Sequence, residues 1–411
     1  MVVATLPMQL WKRNLYILWS GCFITMIGSS LVIPFLPLYI EQLGVKEVAR
    51  IAHWSGLVFS ASFMLSAIVS PMWGRMADKH GRKLMLLRAS LGMAVIMTLM
   101  GLVQNVYQLF FLRLLMGLVS GYIPAAITMV ATQVPKEHSG WALGTLSTGS
   151  VAGTLIGPVI GGTLAEIIGL HHVFFVTGGF MLLSFLVSLL FVREEFVKPS
   201  TTVLTNQEVF KLIKYPKLLA AMFLTTFMIQ FANMSIEPIV TIYVKQLAQN
   251  MGHIALVSGA VVSVAGLANI IAAPRLGRLS DRYGARKILL VCLFLAALVF
   301  IPQAFVQNLW QLMGLRFLLG LTMAGMLPAV NSLIKRSVPQ SVSGRVFGYN
   351  QSAQFLGNIA GPNLGGQMAA HFGIRYVFLS TSALIFINAG WVYITGKSLA
   401  GNADKRTSNF G

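Results

Sequence analysis

Three ionisable residues, Arg113, Glu237 and Arg316, sit inside long apolar stretches of this 411-residue chain. A charge at mid-membrane costs about 2.5–3.5 kcal/mol even on translocon-insertion scales, so each one that persists there is a candidate for ion or substrate chemistry. Glu237 precedes Pro238. Proline cannot donate the helical hydrogen bond, and a break there frees backbone carbonyls beside the carboxyl group. A carboxyl in that position can carry a proton, with Arg113 as the alternative coupling centre. The plainer readings are a structural carboxyl bonded to a neighbouring helix and an arginine post on backbone carbonyls. The uncharged polar residues Tyr122, Gln230, Asn233, Asn331, Gln351, Gln354 and Asn358 share these stretches. They either face a central substrate cavity or bond neighbouring helices. The seven histidines fall near stretch ends or in loops, and none pairs with a carboxylate at metal-ligand spacing. No nucleophile–base motif appears, so neither a metal, a cofactor nor an enzyme is expected.

The elements that hold these residues follow from composition. Apolar residues make up 56% and charged ones 10%, against about 25% charged in a soluble protein. That excludes a soluble globule, a disordered chain and a disulfide framework. Apolar runs recur near 15–38, 54–77, 84–103, 106–130, 140–165 and 172–193, then near 218–243, 255–278, 287–305, 309–335, 344–369 and 374–396. Each fits one membrane span of about 20 residues. The spacing therefore predicts an all-α membrane protein with twelve transmembrane helices. The first run, behind Lys12 and Arg13, is too long for a signal-peptide core and reads as a retained span. Cys22 and Cys292 lie within runs and read as small core residues.

The net charge of +19 does not point to nucleic acid, because Lys and Arg form short clusters between the runs. With the N-terminus inside, inner segments, counted to include Arg88, hold 24 Lys and Arg, and outer ones hold four. That bias predicts both termini and the polar break in the cytoplasm. The break divides the chain into 1–196, a linker at 197–217 and 218–411. Within it, Thr205-Asn206-Gln207-Glu208 fits a capping box for a short surface helix.

The halves are copies. Gly74-Arg-Met-Ala-Asp78-Lys-His-Gly81 recurs as Gly277-Arg-Leu-Ser-Asp281-Arg-Tyr-Gly284, 203 residues on. Arg113-x3-Gly117 recurs as Arg316-x3-Gly320 at the same offset. Gly153-x3-Gly157-Pro158-x2-Gly161-Gly162 recurs as Gly357-x3-Gly361-Pro362-x2-Gly365-Gly366, 204 residues on. Six spans repeated in one orientation predict two pseudo-symmetric six-helix bundles around a central site. Gly149, Gly153, Gly157 and Gly161 fall on one helix face, where another backbone can approach closely.

Over essentially its whole length the chain resembles the major facilitator superfamily. The run Gly74–Lys83, with Asp78, Gly81 and Arg82, is similar to that family's loop signature between the second and third helices. The glycine–proline run from Gly149 to Gly162 resembles the fifth-helix motif of its drug:proton antiporter branch. Arg113-x3-Gly117 resembles the fourth-helix motif linked there to proton coupling. The resemblance implies a latch in which Asp78 meets the start of the eleventh span near Arg345, with Asp281 as its weaker counterpart because Ala285 replaces Arg82. It also implies that the glycine face is a dry contact between the halves, where the bland reading is any tight helix interface. It further implies proton-driven export of drug-like molecules, antibiotics or bile-salt-like amphiphiles, from the inner membrane of a bacterium. The partners expected are protons and lipid, with no nucleic acid, and the chain a monomer. An uptake symporter for a metabolite or sugar, or a non-transporting sensor, are the alternatives.

Overall fold

The computed structural model describes residues 8–135, 138–194, 216–248 and 253–407. Residues 197–215 of the expected linker, with the capping box, fall outside the described residues, as do the side chains of Asp78, Asp281 and Arg345, whereas Pro216 and Lys217 already belong to the next helix. Every regular element among the described residues is helical. This follows from the solvent, since a single segment in lipid satisfies its own backbone only as a helix.

By internal contacts the chain falls into two compact units. One contains 1–201 and 240–263, the other 202–239 and 264–411. In the first unit the first span is α1 (Met8–Leu31), a 3-10 turn (Ile33–Phe35) and α2 (Leu36–Gln42). The turn falls at Pro34, which cannot donate to the preceding helix. Next come α3 (Val48–His80), α4 (Arg82–Met100), and a fourth span in two pieces, α5 (Val106–Val119) and α6 (Tyr122–Gln133). The six-span run closes with α7 (Ser139–Ile168) and α8 (Leu170–Phe191). Gly81, with φ +93°, makes the turn between α3 and α4, a conformation that disfavours any side chain. Trp11, Leu15, Leu18, Tyr122, Met129 and Leu146 belong to one buried cluster built from α1, α4, α6 and α7.

The second copy repeats this grammar as α9 (Pro216–Ile236), α10 (Val240–Leu247), α11 (Ile254–Tyr283), α12 (Ala285–Gln303), α13 (Leu309–Met323), α14 (Met326–Ser337), α15 (Gln340–Phe372) and α16 (Ile374–Thr407). The chain clusters with the first unit from Val240, at the start of α10, through Ser263 within α11. The most extensive pairing in the first unit, α1 on α7, is matched in the second by α9 on α15. Eleven described spans are long and apolar enough to cross a membrane. The twelfth expected span is α15, 33 residues long. It carries Gln351, Gln354, Asn358, Asn363, Gln367 and His371, which lower its hydropathy. Cys22 and Cys292 are free and buried, as their apolar settings imply.

Candidate functional site

Glu237 lies where the seventh span breaks, between the last residue of α9 and the first of α10. Pro238 ends the helix, and the Ile239 N–H turns back to the Ile236 carbonyl at 3.0 Å. The carboxyl group is half-buried. Its electrostatic partner in the same unit is Arg316, in the middle of α13. Arg316 is 3% exposed, and its Nε and Nη2 have no hydrogen-bond partner. A buried guanidinium with open donors, in the same unit as an acid at a helix break, can accept an anionic or polar partner. The first copy has Ile33 at the position matching Glu237, 204 residues earlier. Acid and arginine therefore occur together only in the second copy.

Arg113, the counterpart of Arg316, lies on α5. Its carbonyl accepts from the Ser62 hydroxyl at 2.9 Å, and its Nε is buried without a partner. α5 lies almost on the backbone of α3, since a Cβ on Gly117 would stand 2.1 Å from the Ser62 carbonyl oxygen.

The glycine–proline run resolves into two faces. A Cβ added to Gly149, Gly153 or Gly161 would stand 2.7, 2.6 or 2.1 Å from the carbonyl oxygen of Trp19, Phe23 or Leu31, and one on Gly157 would strike Ser30 Oγ at 1.9 Å. All four therefore face α1, within their own six-span copy. Pro158 and Gly162 turn the other way, towards α11: a Cβ on Gly162 would meet the Ala255 carbonyl at 2.4 Å, and one on Gly259 the Pro158 carbonyl at 2.2 Å. Ser263 adds a hydrogen bond to the Leu155 carbonyl at 2.8 Å. The second copy repeats the first face, with Gly357, Gly361 and Gly365 against Phe227, Phe231 and Ser235 of α9.

At the end of the first unit opposite Gly81, Lys245 holds Glu41 at 2.7 Å. Glu166 accepts from the Leu256 N–H at 3.1 Å and lies 2.8 Å from His253 Nδ1. Thr241 donates to the Pro34 carbonyl.

The expected cavity residues have mixed settings. Tyr122 is fully buried, its hydroxyl 2.8 Å from that of Ser188. Asn331 accepts from Asn350, which also accepts from Thr226. Gln351 and Gln354 bond each other at 3.4 Å on an accessible stretch of α15. Gln230 and Asn233 are half-buried on α9, and the Asn358 side-chain oxygen is buried without a partner. Gly74 is exposed with open space around it.

Two residues have settings that the sequence alone does not reveal. Arg88, counted with the inner-segment charges, lies six residues into α4, within a stretch long and apolar enough to cross a membrane. Glu194, just after the last span of the first copy, caps α4. Its carboxylate accepts from the Arg82 and Lys83 N–H groups at 2.8 and 2.7 Å, opposite the positive end of that helix. No group of His, Cys, Asp and Glu able to hold a metal exists among the described residues.

Two copies of a six-span run, with broken helices and intramembrane charges, define a secondary transporter built from parallel repeats. The family model described as Major Facilitator Superfamily matches residues 18–261 and 222–408, and the chain belongs to that superfamily, as a transport protein and not an enzyme. It is similar to the multidrug resistance protein MdtG of Enterobacter lignolyticus (strain SCF1), 52% identical over 390 residues, covering 95% of this chain and 93% of that one. It is also similar to the MdtG of Proteus mirabilis (strain HI4320), 48% identical over 386 residues, covering 94% and 96%. Among solved structures, a bacterial homologue of the human lysosomal transporter Spinster, inward-facing and occupied, matches with a TM-score of 0.77 at 15% identity, covering 95% of this chain and 98% of that one.

Proposed function

We propose that this protein is a multidrug efflux transporter that exchanges drug-like small molecules for protons by alternating access. The observation that carries the reading is 52% identity over nearly the whole chain to a multidrug resistance protein. Glu237 is the proton carrier and Arg316 its counter-charge, with Arg113 tuning the other copy. Residues 1–196 and 218–411 are the two bundles, and 197–217 is the cytoplasmic linker. Asp78 and Arg345 form the latch between them, and both termini are cytoplasmic in the bacterial inner membrane. Substrates are antibiotics and bile-salt-like amphiphiles, and the working unit is a monomer in lipid.

A susceptibility panel of antibiotics and deoxycholate, with the gene deleted and overexpressed, tests the substrate class. Unchanged inhibitory concentrations across that panel refute it. Glu237→Gln in proteoliposomes under an imposed pH gradient tests the carrier. Loss of gradient-driven transport is expected, and wild-type transport with unchanged proton movement removes Glu237 from the mechanism.

A further inference from the structure

The fourth span is broken at Ser120 and Gly121, whose φ values are −61° and +129°. A break in lipid leaves carbonyls without helical partners, and these must be satisfied by other protein groups. Here side chains do so. Gly117 O accepts from the hydroxyls of Ser66 and Ser120 at 3.0 and 3.1 Å. Leu118 O accepts from Trp73 Nε1 at 2.8 Å. Ser120 O accepts from Arg88 Nη2 at 3.0 Å, and Arg88 Nη1 reaches Leu118 O at 3.4 Å. The Arg88 guanidinium also stacks on the Trp73 ring, 3.5 Å from its centroid. A cation placed at a helix C-terminus and over an indole face is stabilised by both.

Both pieces pack on α4, the helix that carries Arg88, but their other neighbours differ. α5 is joined to α3 through Gly117, Ser62, Ser66 and Trp73. α6 begins with Tyr122, hydrogen-bonded to Ser188 of α8 and pressed against Gly21 of α1. The second copy lacks this clasp. Leu276 and Val291 stand 203 residues after Trp73 and Arg88. Its break is a right-handed kink, with Ala324 and Gly325 at φ −57° and −89°, and Gly325 faces Cys292 and Leu276. The six-span fold therefore forms without the clasp.

We propose that Arg88 is a positioning residue of the transport cycle: stacked on Trp73, it caps the broken fourth span so that the Arg113-bearing piece stays with α3 while the Tyr122-bearing piece stays with α1 and α8. The coupling role rests on the transporter reading, and the hinge itself does not. Spin labels at Phe111→Cys on α5 and Ile127→Cys on α6, both exposed, with Cys22→Ala and Cys292→Ala, report the distance across the break in the full chain in nanodiscs. Arg88→Met is expected to broaden the distribution. Arg88→Lys, which keeps the charge and a donor, is expected to restore it. On the susceptibility panel Arg88→Met is expected to lose at least fourfold of the conferred resistance and Arg88→Lys to keep it. If Arg88→Met fails to insert, the pair Trp73→Leu with Arg88→Val, which writes the second copy's residues into the first, takes its place. A wild-type distribution in the capless variant, or equal broadening in Arg88→Lys and Arg88→Met, overturns the proposal. The distance measurement uses no drug and no proton gradient, so it decides on the hinge even if the multidrug reading fails.

Discussion

Gly161→Ala places one methyl group where α7 meets α1, and the structure sets the size of the effect. The new Cβ would lie 2.1 Å from the Leu31 carbonyl oxygen and within 2.9 Å of that residue's carbonyl carbon and Cα. Carbon and oxygen pack no closer than about 3.3 Å. The helices must therefore part locally by about 1 Å, and backbone cannot swing aside as a flexible side chain can. A gap of that size forfeits about a quarter to a half of the dispersion well of each contact it opens. Overpacking a well-packed site costs about 1–3 kcal/mol, and helix propensity returns about 0.5–1 kcal/mol of that. The same substitution at Gly144, on the same helix, meets nothing within 4 Å and keeps only the propensity gain. The propensity gain is common to both variants, so they should differ by the overpacking cost of about 1–3 kcal/mol, which corresponds to about 2–12 °C in melting temperature for a unit of about 200 residues. Thermal aggregation of the purified protein, followed by size-exclusion of a fluorescent fusion, measures this. If Gly161→Ala melts within about 2 °C of Gly144→Ala, backbone contact does not hold α1 to α7 and the reasoning fails.

Three further outcomes follow from the charges. Arg316→Met removes the positive charge that acts on Glu237 and should lower the melting temperature; adding Glu237→Gln should recover at least half of that loss, and no recovery in this double-mutant cycle argues that the two do not interact. Asp78→Asn should impair transport in inverted vesicles without loss of insertion, and Asp281→Asn less so because Ala285 stands where the first copy has Arg82; the reverse order defeats the latch. A cysteine placed at Ser200 should escape an impermeant thiol reagent in intact cells, and labelling there would place the linker outside.

Much of the architecture is legible in the sequence because lipid enforces it. Span positions follow from apolar length, and the repeat offset of 203–204 aligns both breaks and both arginines. Glu237 stands out as an acid in an apolar run. Its partnership with Arg316 does not, because the two are 79 residues apart in sequence and only the folded bundle joins them. The glycine spacing reveals a face but not its neighbour, so the resemblance pointed between the halves while Gly149, Gly153, Gly157 and Gly161 turn towards α1. Arg88 was hidden by Arg82 and Lys83 just before it, which made it look like part of one basic loop. Comparing the copies would have exposed it, since Val291 and Leu276 replace Arg88 and Trp73. Glu194 could not be found this way, because a cap is defined by where its carboxylate ends up.

The glycine rows also have a mechanical meaning. Where backbone meets backbone, few side chains are immobilised, so joining the two helices sacrifices little rotamer entropy. There are also few rotamers to rearrange when load is applied. α1 with α7, and α9 with α15, each behave as a two-ply beam of fixed thickness. The close backbone contact favours tilting of each pair as one piece, with deformation within either six-span copy falling to the helices outside it.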